Sequence, residues 1–310
     1  MLIDTHAHIN LHAFKDDADE VMRRSLSVGI VVINVGTDIE TSQAAVNMLE
    51  RYSKNVYAVV GLHPSHTYDN PHLDENESMS AVPMEHFNTT SYYSMAKNER
   101  VVGIGECGLD YYRLGDANNA NEHANDTNNI QAIKYLQKEA FLQQIKLAQE
   151  LDKALVIHCR PSKGTNDAYE DVLEILQNTL GIGVGASFSR PDKEAGGQGQ
   201  PLRFEIHSFT GSLEVAEKFL ALGGYIGLNG IITFDKTGNM ETVVKGVPLE
   251  RIVLETDSPY LAPAPNRGKR NEPVNVQEVA SKIAEWKNVS VDEVARITTE
   301  NAQRLFKISL

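Results

Sequence analysis

LIDTHAH, residues 2–8, is the stretch on which the fold turns. A short apolar start runs directly into His6-Ala7-His8, and no glycine-rich loop follows it. Two residues apart on extended chain, both imidazoles point to one side and can reach a single metal ion. Beyond this first run at 2–5, seven more β-rich runs follow at 30–35, 56–61, 101–105, 154–158, 203–207, 224–228 and 251–255. They show little polar alternation, as expected of parallel strands covered on both faces. Helical patterns fill the intervals at 16–28, 38–53, 84–98, 131–151, 166–179, 212–222, 239–246 and 274–286. A last one at 291–306 begins after Ser290, with Asp292 and Glu293 suiting its positive end.

An open doubly wound sheet would suit this alternation, but its G-x-G-x-x-G loop is missing after the first strand. Eight βα units in 310 residues fit a closed (β/α)8 TIM barrel of the α/β class. The expectation is one domain over 1–310, since no linker marks a second. Two segments break the rhythm. Residues 114–129 are polar and rich in Asn and Ala, and residues 181–201 are rich in glycine without a phosphate-cradle spacing. Both read as inserted surface loops.

Composition narrows the function. With 41% hydrophobic and 23% charged residues the chain reads as soluble and globular. No run is long and apolar enough to span a membrane, and a core-like strand follows Met1 where a signal peptide would lie. Two cysteines make no disulfide framework, so a reducing compartment is expected, the cytoplasm first and the nucleus also open. A net charge of −13 argues against coating long polyanions. It leaves room for an enzyme that grips one phosphate locally.

Strand-end signals recur along the chain: Glu106 in VVGIGECGLD, His158 in ALVIHCR, His207 in RFEIHSF and Asp257 in RIVLETDSP. In a βα barrel functional residues gather at those ends. Any one of them alone is more simply a hydrogen-bonded structural residue. With His6 and His8 they make six, at the ends of five strands. Four imidazoles and two carboxylates exceed one tetrahedral site and suit two ions sharing a carboxylate.

DTHAHI, GLHPSH, GECGLDYYR, VIHCR, IHSFTGS and ETDSPYLAP, with RGKRNEP behind, resemble the motif series of the TatD family of metal-dependent deoxyribonucleases across residues 4–273. The resemblance implies a TIM barrel. It also implies that His6, His8 and Asp257 hold one ion, His158 and His207 the other, and that Glu106 bridges them. The wider amidohydrolase superfamily often bridges with a carboxylated lysine, and no lysine occurs in VVGIGECGLD. The implied reaction is hydrolysis of DNA phosphodiesters by a metal-activated water, as a 3′ to 5′ exonuclease acting on strand ends, with the chain as a monomer. Family usage points to Mg, whereas the imidazole-rich donor set favours Zn or Mn on softness grounds. Asp257 would serve as ligand and proton acceptor.

His63, in the family's Gly-x-His-Pro pattern, would contact the phosphate or protonate the leaving oxygen, or else merely fix the Pro64 turn. Arg113, Arg160 and the Arg267, Lys269, Arg270 cluster are candidate phosphate contacts, with Arg113 and Arg270 raised by the resemblance. Tyr111, Tyr112 and Phe209 are candidate base-stacking rings. Cys107 and Cys159 follow ligands directly, so alternation turns them into the core, and Trp286 reads as core too. His66 is placed less firmly, while His12, His72, His86 and His123 carry no assigned role. Two rivals stay open: an amidohydrolase acting on an amide, ester or lactone, and a non-catalytic metal-binding scaffold.

Overall fold

The computed structural model describes residues 1–70, 74–78, 83–114, 127–181 and 202–310. All eight predicted strands are present: β1 (Leu2–Ala7), β2 (Ile30–Val35), β3 (Val56–Val60), β4 (Val101–Asp110), β5 (Ala154–Arg160), β6 (Phe204–Ile206), β7 (Tyr225–Leu228) and β8 (Ile252–Leu254). They form one parallel sheet in sequential order. The ring is closed by backbone bonds from Asp257 N–H to the His6 carbonyl (2.9 Å) and from His8 N–H to the Ser258 carbonyl (2.8 Å). This is a (β/α)8 TIM barrel.

The helices are α1 (Ala18–Ser27), α2 (Ile39–Arg51), α3 (Thr89–Ala96), α4 (Thr127–Leu151), α5 (Asp167–Leu180), α6 (Leu213–Ala221), α7 (Asn239–Gly246), α8 (Val276–Lys287) and α9 (Val291–Phe306). Side-chain caps set several starts. Asp38 and Thr41 exchange bonds as a capping box on α2, and the hydroxyls of Ser212 and Ser290 accept the N–H groups of Val215 and Glu293. Such a cap is worth about 1 kcal/mol. α3 begins at Thr89 and not at 84, because Asn88 caps it, and the Glu85 carboxylate before it is engaged by the Ile39 N–H and the Tyr92 hydroxyl. α4 begins at Thr127, inside the segment read as a loop, and Leu114 at that segment's other end is buried. The rest of the two expected insertions, 115–126 and 182–201, lies outside the described residues, as do His72 and His123.

Apolar burial is split in two. The larger cluster lies between sheet and helices and includes Val32, Leu155, Phe141 and Phe219, with Trp286 packed against it. The smaller one plugs the barrel's lower interior, where Ile3, Val31, Val102, Val156 and Val253 meet Leu305 and Phe306 at the end of α9. Ile3 belongs to that interior plug but Ala7 to the outer cluster, so the alternation inverts along β1. The cause is the register shift between Asp4 and Ala7, which turns His6 and His8 inward at the upper end. Among the described residues no helix is long and apolar enough to cross a membrane.

Candidate metal centre

The six expected ligands converge above the plug. Oε2 of Glu106 lies 3.2 Å from His6 Nε2 and 3.7 Å from His8 Nε2. Its Oε1 lies 2.8 Å from His158 Nδ1, 3.5 Å from His63 Nε2 and 3.8 Å from His207 Nε2. Asp257 Oδ1 is 3.5 Å from His8 Nε2 and 3.7 Å from His207 Nε2. Among the described residues four sets of donor atoms lie within 4.8 Å of one another: His6, His8 and Glu106; His6, His207 and Asp257; His63, Glu106 and His158; and His6, Glu205 and Glu255.

The backbone is shaped around these groups. Glu106 lies within β4, which extends to Asp110 and not to 105 as predicted, at a second register shift between Ile104 and Cys107. Gly108 follows at φ +133°, where a Cβ would meet the His158 carbonyl oxygen. Only glycine lets β5 approach so closely. Asp257 sits at φ +58°, a left-handed conformation that Asp tolerates better than most residues, with its N–H fixed on His6.

Hydrogen bonds set which ring nitrogens face inward. His8 Nδ1 donates to the Val35 carbonyl (2.9 Å), and His207 Nδ1 donates to Glu255 Oε2 (2.9 Å). Their Nε2 atoms therefore face the cluster. His6 and His8 bring Nε2 atoms to 3.0 Å of each other, while buried His6 Nδ1 has no hydrogen-bond partner among the described residues. Burial and the neighbouring charge of His207 push the His6 imidazole down to about 3, which keeps it neutral. Burial works to raise Glu106, but His63, His207 and His6 outweigh it and hold the carboxylate well below its usual range. Converging ring nitrogens and carboxylate oxygens, buried and with no lysine or arginine among them, are a donor set that fits divalent cations.

Outer partners escaped the sequence reading. Asp110 Oδ2 takes the second nitrogen of His158 at 3.0 Å, and Glu255 holds His207. Asp110 lies four residues from Glu106 on β4, where strand period was an available signal, and Glu255 lies two residues before Asp257, just past the end of β8. His63 Nδ1 accepts the Ser65 N–H (3.1 Å) and faces the Ser65 hydroxyl (2.6 Å), so its proton belongs on Nε2, toward Glu106.

Above the cluster opens a cavity of about 900 Å3. Arg113 and Arg160 line it as expected, with Tyr112 beneath the Arg160 guanidinium at 3.8 Å. Arg270 does not line it. Its guanidinium lies over Phe14 and is engaged by Asp17 (2.5 Å) and Glu272 (3.7 Å), so it ties the loop after β8 to the start of α1. Arg267 is stacked on Phe234, and neither it nor Lys269 is a lining residue. Tyr111 is buried with its hydroxyl on Asp171, and Phe209 packs on Tyr169; both are packing groups in place of stacking platforms. Cys107 is core, and Cys159 is buried but reaches the cavity's edge; neither belongs to a metal-binding group among the described residues.

The model of the TatD related DNase family matches residues 3–307. The chain belongs to the TatD family. It is 35% identical to the uncharacterized metal-dependent hydrolase YabD of Bacillus subtilis (strain 168) over 310 residues, covering 100% of both chains. It is 28% identical over 314 residues to the 3′-5′ ssDNA/RNA exonuclease TatD of Pantoea sp. (strain At-9b), covering 99% of this chain and 100% of that one. In fold it is similar to the crystal structure of YJJV, a TatD homolog from Escherichia coli K12, with a TM-score of 0.73, 24% identity and coverage of 99% and 98%. Membership of the TatD family makes this chain a metal-dependent hydrolase.

Proposed function

We propose that this chain hydrolyses DNA phosphodiester bonds at the 3′ end of a strand, with two divalent cations held on either side of Glu106. The single observation carrying this reading is Glu106, which presents one oxygen to His6 and His8 and the other to His158 and His207. His6, His8 and Asp257 would hold one cation, His158 and His207 the other. Bound there, such a pair lowers the pKa of a water towards neutrality and neutralises charge on the phosphate oxygens.

The chain's own groups supply the rest. Asp257 is pushed up by burial but held below its usual range by His207, His8 and His6, so it stays ionised and able to take a proton from the attacking water. His63 carries its proton on Nε2, facing the cluster, and can donate it as a hydrogen bond to a phosphate oxygen. Arg113 and Arg160 at the cavity wall suit bidentate contact with phosphate. Tyr112, braced by Arg160, offers a face to a base. The 3′ polarity follows the Pantoea relative's description as a 3′-5′ exonuclease.

The test is degradation of single-stranded DNA labelled at either end, by wild type and Glu106→Ala, with Mg2+ or Mn2+ and with chelator. The expected result is metal-dependent shortening from the 3′ end by wild type alone. No cleavage by metal-loaded wild type would overturn the reading in favour of an amidohydrolase substrate.

A further inference from the structure

The mouth of the cavity is charged unevenly across its width. One side is cationic: Arg113 after β4, Arg160 at the end of β5 and Lys163 after it all line the cavity. Arg160 and Lys163 both stand on the ring of Tyr112, at 3.8 and 5.2 Å.

The facing side is a short strap, residues 74–78, which brings Asp74, Glu75 and Glu77 to the same cavity. The strap is pinned at four places. The Asn76 carbonyl accepts Ala13 N–H (2.8 Å), and the Glu77 carbonyl accepts His12 N–H (3.3 Å). Asp74 Oδ2 accepts the Tyr260 hydroxyl (2.9 Å), and the Glu77 carboxylate holds the Thr37 hydroxyl and His66 Nε2 (3.0 Å). These anchors belong to loops following β8, β1, β2 and β3. In a ring of eight strands in sequential order, β1 stands diametrically across from β5. The acidic strap therefore faces the cationic rim with the ligand cluster between them.

We infer that the strap is an end stop, which makes the site accept a strand terminus and reject a strand that continues. The inference rests on the nucleic-acid reading proposed above. A strand that ends over the ligand cluster can lay its remaining phosphates along Arg113, Arg160 and Lys163. A strand passing through must carry its next phosphate over Asp74 and Glu75. That phosphate meets like charge within the range at which exposed charges still interact, roughly 8–10 Å in ordinary salt. Glu75 is exposed and is the residue of the strap whose charge can be changed without disturbing an anchor.

The experiment compares a linear single-stranded DNA with the same sequence closed into a covalent circle, at low and high salt. The proteins are wild type, Glu75→Gln, Glu75→Lys and Glu250→Lys, the last being an exposed acid on the turn before β8, at the opposite end of the barrel. Wild type is expected to cut the linear strand and leave the circle. Glu75→Lys should raise the ratio of circle to linear cleavage by on the order of tenfold at low salt, with Glu75→Gln between. The gain should shrink at high salt, and Glu250→Lys, with the same change in net charge, should behave as wild type. Equal cleavage of circle and linear strand by wild type, or a ratio that Glu75→Lys leaves unmoved, would overturn the end stop while leaving the nuclease reading intact. Failure of wild type to cut either DNA would remove both.

Discussion

Glu255 and His207 are joined by a 2.9 Å bond between Oε2 and Nδ1, and both are buried inside the barrel. Glu255 Oε1 also takes the Ser208 N–H at 2.6 Å, so the carboxylate is clamped before it orients the ring. Glu255→Gln is expected to weaken metal affinity or activity by about 10- to 100-fold, the usual cost of losing a carboxylate behind a ligating imidazole. Gly227→Ala should act in the same direction, because its Cβ would lie 2.5 Å from Glu255 Oε2. Calorimetric metal titration of both variants checks this, and unchanged affinity would make Glu255 a packing residue.

Metal removal should cost stability without unfolding the barrel. The apolar plug beneath the ligands and the helix layer outside them do not depend on a cation. At a cation concentration of 100 Kd, linkage stabilises by about 2.7 kcal/mol. For a chain of this size that is a fall in Tm of roughly 4 °C on chelation, with the far-UV spectrum kept. A Tm indifferent to chelator would show that the cluster binds no cation tightly.

The strap's hold should depend on pH through Glu77 and His66. Burial raises Glu77, but its bond from His66 and the charge there pull it down to about 2. Burial lowers His66, but the bond to Glu77 and the charges of Glu77, Asp38 and Glu85 leave it raised above its ordinary 6.5. The Glu77 contribution is present above its ordinary 4.5 and is lost as pH falls through about 2. The His66 contribution is whole below 6.5 and is lost as pH rises through the raised value. The pair therefore holds best between those ordinary values. Exchange of the His12 and Ala13 amides, which the strap carbonyls accept, should accelerate beyond intrinsic base catalysis as His66 loses its proton. Glu77→Gln should flatten that dependence, and an identical profile in the variant would refute it.

Period and strand-end position were enough to read the eight strands, because parallel strands buried on both faces leave uninterrupted apolar runs. The same position brought His6, His8, Glu106, His158, His207 and Asp257 into view. What escaped needed distance. Asp110 and Glu255 contact the proposed ligands through rings whose orientation no one-dimensional pattern carries. Arg270 sits in a basic run that looks like a phosphate grip, yet Asp17, 253 residues away in sequence, claims its guanidinium. The register shifts in β1 and β4 were invisible as well, although they decide which face His6 and Glu106 occupy.

Arg160 and Arg270 should separate cleanly in kinetics. Arg160 lines the cavity with its guanidinium on Tyr112, whereas Arg270 closes an ion pair with Asp17 outside it. Arg160→Ala is expected to raise KM for DNA several-fold and to lower the slope of log affinity against log salt by about 1, the signature of one lost phosphate contact. Arg270→Ala should leave KM and that slope alone. It should instead lower stability by about 1 kcal/mol or less, since the pair with Asp17 is partly exposed and screened by solvent. Thermal melts and a salt series on both variants measure the two effects. A salt slope that falls in Arg270→Ala and not in Arg160→Ala would return the phosphate grip to the loop after β8, and would place the strand's path on the wrong side of the barrel mouth.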